Sequence, residues 1–166
     1  MNYEYSTSEE VVLKEYPHST HWIEGQLVIG IGNLILTTER IVFLHQVALS
    51  DEEMERLQKV SAKSTTKDMI HLGISLHKKN FQFPLSSIIQ VKTGLYSLLP
   101  FPRPCLRIFH RSSKKKRNMN TASFMFTIPL LKGLYQLEIT TVKAWVRLIN
   151  NAVKHKQATA GIMMRT

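Results

Sequence analysis

Residues 120–150 constrain the fold more than any other stretch, because the hydrophobic spacing changes within it from that of strands to that of a helix. Alternating apolar side chains predict a strand that runs to Ile128, and a looser alternation predicts a second strand over 134–139. Lys132 and Gly133 between them are typical of a turn. The stretch therefore predicts a β-hairpin followed by a helix.

The helical part carries one wide aromatic on its apolar face. Thr140 or Thr141 can cap the N-terminus with its hydroxyl, and apolar residues then follow at steps of three and four. Trp145 lies on this apolar stripe, whereas Lys143 and Arg147 lie off it. A terminal helix with a tryptophan on its inner face fits the mouth of a small β-barrel, because one large side chain can fill the opening.

Strand-like segments outnumber helical ones in the rest of the chain. Apolar and β-branched runs predict further strands over 25–36, 41–44, 69–76, 81–91 and 105–110, which makes seven with the two terminal strands. Pro84 lacks the N–H that a ladder needs, so it predicts an edge position or a bulge in its strand.

One helix is predicted among these strands, over residues 50–63. Ser50 can cap it, and Glu53 can complete a capping box. Its apolar residues are spaced to face inward: Met54, Leu57 and Val60.

Composition limits the kinds of protein that this chain can be. Its 166 residues, 43% of them hydrophobic, fit one domain with a single core. Cys105 is the only cysteine, which excludes an internal disulfide and a cysteine-based zinc site and predicts a packed core thiol. No run approaches the roughly 20 apolar residues that span a bilayer, and the polar, acidic start does not resemble a signal peptide. We expect a cytoplasmic protein that can associate peripherally with membranes.

Three motifs, in order along the chain, resemble those of a known family. The spacing Gly32-x-Leu34-x-Leu36-Thr37-x-x-Arg40-x-x-Phe43 resembles the opening hairpin of GRAM domains. Pro84-Leu85-x-x-Ile88 resembles their proline-leucine strand, and the Trp145 helix is similar to the closing helix of pleckstrin-homology domains. The resemblance implies a mainly β (α+β), pleckstrin-homology-like fold: a seven-stranded, partly open barrel closed by a C-terminal helix. The helix predicted over 50–63 departs from the family's pattern as an insertion between strands two and three.

The resemblance also divides the chain. Residues 1–21 are expected to form an N-terminal extension, residues 22–157 the domain with its helical insertion over 50–66, and residues 158–166 a flexible tail. The first hairpin departs from a strict phosphoinositide signature, because it has no paired basic residues.

The charge is distributed unevenly. Residues 1–60 hold 10 of the 12 acidic residues and 4 of the 22 basic ones, a net charge of −6, whereas the remainder has a net charge of +16. This asymmetry is compatible with a surface that steers anionic partners, or with two faces that attract each other within the fold.

The candidate lipid- or anion-binding residues fall into two groups, which the family's topology implies lie at opposite ends of the barrel. One end would carry Lys78, Lys79 and Lys132, with Arg40 beside them. The other would carry a basic connection, and beside it an apolar loop whose residues are membrane-contact candidates. These residues are Arg111, Lys114, Lys115, Lys116 and Arg117 for the connection, and Leu98, Leu99 and Phe101 for the loop.

The second end joins cations to apolar side chains, which makes it the stronger membrane candidate. Its five cations at about 1 kcal/mol each, with two inserted apolar side chains at roughly 1.5–3 kcal/mol each, are enough for peripheral attachment. Alternatives stay open. The basic run can be a solvated hairpin tip with Leu98 and Phe101 packed under the inserted helix, or the acids of 51–55 can cover the tip as a competitor. Arg40 can be structural and pair with Glu39.

The sequence therefore predicts a non-enzymatic binding module that engages anionic membrane lipid or its headgroup through a basic face. The alternative is a protein–protein adaptor with an unknown partner. Nucleic acid is a less favoured ligand, because no aromatic pair lies on a basic strand. No motif of a dinucleotide loop, a phosphate-binding loop or a nucleophile elbow is present. The pair His18 and His21 has no cysteine near it, and only Glu15 or Glu24 could complete a metal site. We expect no cofactor and no metal.

Overall fold

The computed structural model describes residues 9–24, 27–46, 50–61, 65–96, 102–111, 119–126 and 135–163. These ranges contain seven strands and three α-helices. The strands are β1 (Val12–Glu24), β2 (Leu27–Thr37), β3 (Arg40–His45), β4 (Phe81–Pro84), β5 (Ile88–Tyr96), β6 (Arg103–Arg111) and β7 (Met119–Phe126). The helices are α1 (Asp51–Ser61), α2 (Thr66–Ser75) and α3 (Tyr135–Met163), and a 3-10 turn over Leu85–Ser87 joins β4 to β5.

The strands form one antiparallel hydrogen-bonded order, β4-β3-β2-β1-β7-β6-β5. β1 pairs with β2 along most of its length and with β7 through Thr20–Ile23. β4, at one end of this order, approaches β6, which is next to β5 at the other end, since the rings of Phe83 in β4 and His110 in β6 lie 3.9 Å apart. Seven antiparallel strands followed by a C-terminal helix are the pleckstrin-homology-like architecture that the motifs predicted, and β4 is an edge strand ending at Pro84, as expected.

One face of the sheet surrounds the main core. The inner side chains of the strands pack with one face of α3: Leu34, Leu36, Ile41, Phe43, Leu106, Ile108, Phe124, Phe126, Val142, Trp145 and Ile149. Trp145 is completely buried, and its ring lies 5.7 Å from that of Phe126. The prediction of a single inward tryptophan on the closing helix is confirmed. Cys105 is also buried, as predicted.

The segment 69–76, predicted as a strand, lies largely in α2. Thr65 caps this helix, because its hydroxyl accepts the N–H of Asp68 at 3.2 Å and the Asp68 carboxylate accepts the N–H of Thr65 at 3.3 Å. Ile70 packs against Val42 on the outer face of the sheet and forms a second, smaller core there. The prediction was wrong because a short apolar run fits either period, and here the cap and the outer face of β3 select the helix.

α3 begins at Tyr135, so the predicted strand over 134–139 and the predicted caps Thr140 and Thr141 were wrong. Glu138 lies in the first turn, and its carboxylate forms an ion pair with Arg103 of β6. This contact and the buried face of the helix stabilise a start that local alternation did not indicate. The helix continues to Met163, past the start of the predicted tail.

β1 begins ten residues before the predicted start of the domain. Val12 pairs with Thr37 of β2, so the sheet includes much of the predicted extension over 1–21. The sequence does not indicate a strand here, because the composition of this segment is mixed and Pro17 interrupts it.

α1 agrees with the helix predicted over 50–63. The Glu53 carboxylate accepts the N–H of Ser50 at 2.9 Å, and the Ser50 hydroxyl accepts the N–H of Glu53 at 3.3 Å, which is the predicted capping box. Met54 is 47% exposed, so its predicted inward position was wrong. The side chains of Leu57 and Val60 lie outside the described residues. α1 and α2 together form the connection between β3 and β4.

Candidate basic edge of the sheet

The antiparallel order places alternate connections at opposite edges of the sheet. β1 ends at Glu24, β3 at His45 and β6 at Arg111, and the strand directions bring these three ends to the same edge. The β2–β3 turn and the β5–β6 connection lie at the other edge. We call the first the basic edge and define it by Lys78 and Lys79, which lie in the β3–β4 connection, and by Arg111.

The structure describes three of the predicted anion-binding residues. Lys78, Lys79 and Arg111 are all exposed, and all lie at the basic edge. The other predicted site residues lie outside the described residues: Lys114, Lys115, Lys116, Arg117, Lys132, Leu98, Leu99 and Phe101. The connection that contains Lys114 to Arg117 starts at Arg111 and ends at Met119, and these two residues pair with each other.

The predicted grouping of Lys78 and Lys79 with Arg40 was wrong. Arg40 begins β3, and the turn that carries the two lysines is bonded to its other end, where the Asn80 side chain accepts the N–H of His45 at 2.7 Å. Six residues of strand separate the two ends by about 17 Å. Because the prediction counts the α2 segment as a strand, it assigns the turn that carries Lys78 and Lys79 to the wrong edge of the sheet.

The predicted combination of the apolar loop with the basic connection stays a prediction, because the residues of both segments lie outside the described ranges. The described flanks of these segments lie far apart. The loop is flanked by Tyr96 and Arg103, whereas the basic connection starts at Arg111. β6 runs between these flanks, and its nine residues span about 27 Å.

The turn that carries Lys78 and Lys79 is held on both sides. The N–H of Asn80 donates to the carbonyl of His77 at 3.0 Å and closes the turn. The Asn80 side chain donates to the carbonyl of Gly73 in α2 at 2.8 Å, and its oxygen accepts from His45 in β3. The two lysines are therefore presented to solvent from a defined turn. Sequence reasoning missed Asn80 and His45 because 35 residues separate them, and only the pairing of β3 with β4 brings them together.

Arg40 is part of a buried ion pair at the other edge. Its Nε and NH2 donate to the two carboxylate oxygens of Glu10, each at 2.8 Å, and its NH1 donates to the Gln82 side chain at 2.6 Å. The Thr37 hydroxyl donates a further hydrogen bond to the Glu10 carboxylate at 2.7 Å. The structural interpretation of Arg40 agrees with this network, but its partner is Glu10, while Glu39 pairs with Lys156 of α3. Arg40 therefore has a structural role, and its guanidinium is not available to a ligand.

The pKa of Glu10 reports this pairing. Burial by itself would raise it, but the hydrogen bonds from Arg40 and Thr37 and the charge of Arg40 outweigh burial and hold the pKa below its ordinary value. Glu10 is therefore ionised at neutral pH.

One apolar cavity lies between the sheet and the start of α3. It has a volume of about 220 Å³. Its walls come from β5, β6 and α3: Thr93, Gly94, Leu95, Pro104, Ile139, Val142 and Lys143. Lys143 is the one ionisable side chain among these, so the cavity suits apolar groups.

Neither a metal centre nor a membrane-spanning helix is found among the residues that the structure describes. No three His, Cys, Asp or Glu side chains come together there as a metal site would require. No helix in the same ranges is long and apolar enough to cross a bilayer.

Comparisons with known proteins are sparse. No family model matches the chain, and no curated protein matches it. Among solved structures, the Vps36 N-terminal PH domain is similar, with a TM-score of 0.46 and 15% sequence identity over 87% of this chain and 83% of that one. The fold assignment rests on the strand order and on α3, which together are those of a pleckstrin-homology-like domain.

Proposed function

We propose that the chain is a binding module that attaches peripherally to membranes by engaging anionic lipid headgroups through the basic edge. The observation that supports this proposal is the strand order, by which the end of β3 and the end of β6 lie at one edge. Lys78 and Lys79 lie in the connection that follows β3, and Arg111 ends β6. Four more cations, Lys114 to Arg117, follow Arg111 in the sequence.

The charge available is sufficient for reversible attachment. Each cation near an anionic surface contributes about 1 kcal/mol, so seven cations set an upper bound of about 7 kcal/mol. The acids of α1 belong to the same β3–β4 connection and reduce this figure, because Asp51 and Glu52 are exposed there. Attachment through this edge alone is therefore expected to be weak and strongly salt-dependent.

Sedimentation with phosphatidylcholine vesicles, with and without phosphatidylserine, tests the proposal. The variant Lys78→Glu/Lys79→Glu should lose at least about thirtyfold in affinity for the anionic vesicles, the factor expected for two cations. The control Arg147→Glu/Lys154→Glu changes the net charge equally at exposed positions of α3 and should bind like the parent. Equal losses in the two variants would mean that net charge alone is responsible.

A protein-binding adaptor is the second candidate, favoured by the outer strand β5. This strand exposes Ile89 (45%) and Leu95 (54%), and Leu95 also lines the apolar cavity beside α3. An extended peptide can add to such an edge and place an apolar side chain in the cavity. Under this alternative, Leu95→Glu would abolish capture of the partner, whereas the Lys78→Glu/Lys79→Glu variant would leave it intact.

A further inference from the structure

The imidazole rings of two histidines are stacked beside the turn that carries Lys78 and Lys79. The rings of His45 in β3 and His77 before Lys78 have centroids 5.0 Å apart and planes inclined by 25°. His45 also packs edge-on against Phe43 at 5.0 Å and lies over Gly30, where a Cβ would come within 2.5 Å of its ring. The β2 and β3 neighbours of the stack therefore carry no charge.

The hydrogen bonds indicate which ring nitrogens are free to take up a proton. The Asn80 side-chain oxygen can only accept, since the same amide donates to Gly73, so the His45 Nδ1 that lies 3.1 Å from it carries the proton. The His77 Nδ1 accepts the backbone N–H of Lys79 at 3.0 Å, so this nitrogen is unprotonated. Each ring thus keeps one nitrogen that can take up a further proton: Nε2 of His45 and Nδ1 of His77.

The surroundings oppose proton uptake. Nε2 of His45 is buried without a hydrogen-bond partner. Burial lowers the pKa of His45, and the charges of His77 and Lys79 lower it further, although the Asn80 bond acts in the opposite direction. At His77, a proton on Nδ1 would remove the acceptor of the Lys79 N–H. No acidic side chain contributes to the environment of His45 in the part of the chain that the structure describes.

An anionic membrane changes this balance. A negative surface facing Lys78 and Lys79 stabilises a third positive charge beside them, so the free energy cost of protonating the stack falls when the edge is occupied. By linkage, the proton then strengthens membrane binding by the same factor.

We propose that attachment of the basic edge to an anionic lipid surface is coupled to proton uptake at the His45–His77 stack, so that the domain binds such membranes more tightly at acidic pH. This inference rests on the proposed function and assigns its regulation to the stack. The expected gain is at most about fivefold for one proton, the factor that one cation near an anionic surface provides.

The test compares binding to phosphatidylcholine–phosphatidylserine vesicles at about pH 7.5 and about pH 5.5, the range in which imidazoles titrate. The parent should bind more tightly at the lower pH, by up to the limit of about fivefold set by one cation. His77→Phe keeps a stacked ring without a titrating nitrogen, and His77→Asn keeps an acceptor for the Lys79 N–H. Each is combined with His45→Gln, which removes the second imidazole, and both double variants should bind at both pH values without the gain. The control His71→Phe removes an exposed histidine of α2 and should keep it.

Three results would overturn the coupling. One is a parent that binds equally at the two pH values, which refutes the coupling but leaves the proposed function intact. The second is a pH gain that survives in both double variants, which lack the two imidazoles of the stack. The third is no binding of the parent to anionic vesicles at either pH, which refutes the proposed function and the coupling with it. As a second readout, NMR titration of the imidazoles should show that the vesicles raise the protonation midpoint of His45.

Discussion

Replacing Glu10 by Gln should destabilise the protein more than any other single change of an acidic residue in the described ranges. The Glu10 and Arg40 side chains are only 4% and 9% exposed, so the variant leaves the Arg40 guanidinium buried without its counter-charge. Loss of one partner of a buried pair costs about 3–5 kcal/mol. For a chain of this size, each kcal/mol corresponds to about 2–4 °C, so the melting temperature should fall by roughly 6–20 °C.

Urea unfolding, followed by circular dichroism, measures this loss directly. Glu39→Gln is the matched control, because the Glu39–Lys156 pair is more than one-third exposed on both sides and should contribute at most about 1 kcal/mol. The double variant Glu10→Leu/Arg40→Leu should recover much of the loss, since replacing both charges by apolar groups is often near neutral. If Glu10→Gln and Glu39→Gln are equally mild, Arg40 must find other partners, and the argument from burial is refuted.

The ion pair also predicts a pH dependence of stability. The folded pKa of Glu10 lies below its unfolded value, so its contribution is fully present above an unfolded pKa of about 4.5 and is lost as the pH falls through the folded pKa. The difference in the free energy of unfolding between the parent and Glu10→Gln should therefore be constant near neutral pH and shrink in acid. A difference that stays constant down to the acid transition would contradict the assignment.

Three further predictions concern the core. Gly32→Ala should destabilise the protein by about 1–3 kcal/mol in urea unfolding, because its Cβ would lie 2.0 Å from the Leu44 carbonyl oxygen, whereas Gly161→Ala meets nothing within 4 Å and should be neutral or stabilising. Trp145→Ala should cost about 3–5 kcal/mol in the same assay, since the ring is fully buried; a loss below about 1 kcal/mol would mean that α3 does not close the core. Cys105 should react with a thiol reagent only as the protein unfolds, because it is buried and burial raises the pKa of its thiol; rapid modification of the native protein would disprove its place in the sheet.

Several local features were predictable from the chain alone. The apolar stripe around Trp145 identified the closing helix, Ser50 and Glu53 identified the start of α1, and Pro84 identified an edge strand. In each case the signal lies within a few residues, because a side-chain period, a cap or a missing N–H acts on its own neighbourhood. The fold class was implied by the resemblance of three motifs, in their order along the chain, to those of a known family.

The candidate site was predictable only in part. Lys78, Lys79 and Arg111 could be named as exposed cations, but their grouping could not be read from the chain, because it depends on the direction of every intervening strand. The wrong prediction of a single element was enough to reverse this grouping. Because the 69–76 segment is a helix on the outer face of β3, the turn that carries the two lysines lies at the end of β3 that is far from Arg40.

The periodic elements and the amount of positive charge follow from the amino-acid sequence, since both are local properties of the chain. Which charges meet depends on how distant elements pack. Glu10 pairs with Arg40, which is 30 residues away in the chain, and His45 contacts His77 and Asn80 on the other side of a helical insertion. Strand pairing and burial bring these residues together, and no local sequence pattern encodes either. Contacts of this kind depend on strand register and on the packing of distant elements, which is why the buried ion pair and the histidine stack became visible only in the fold.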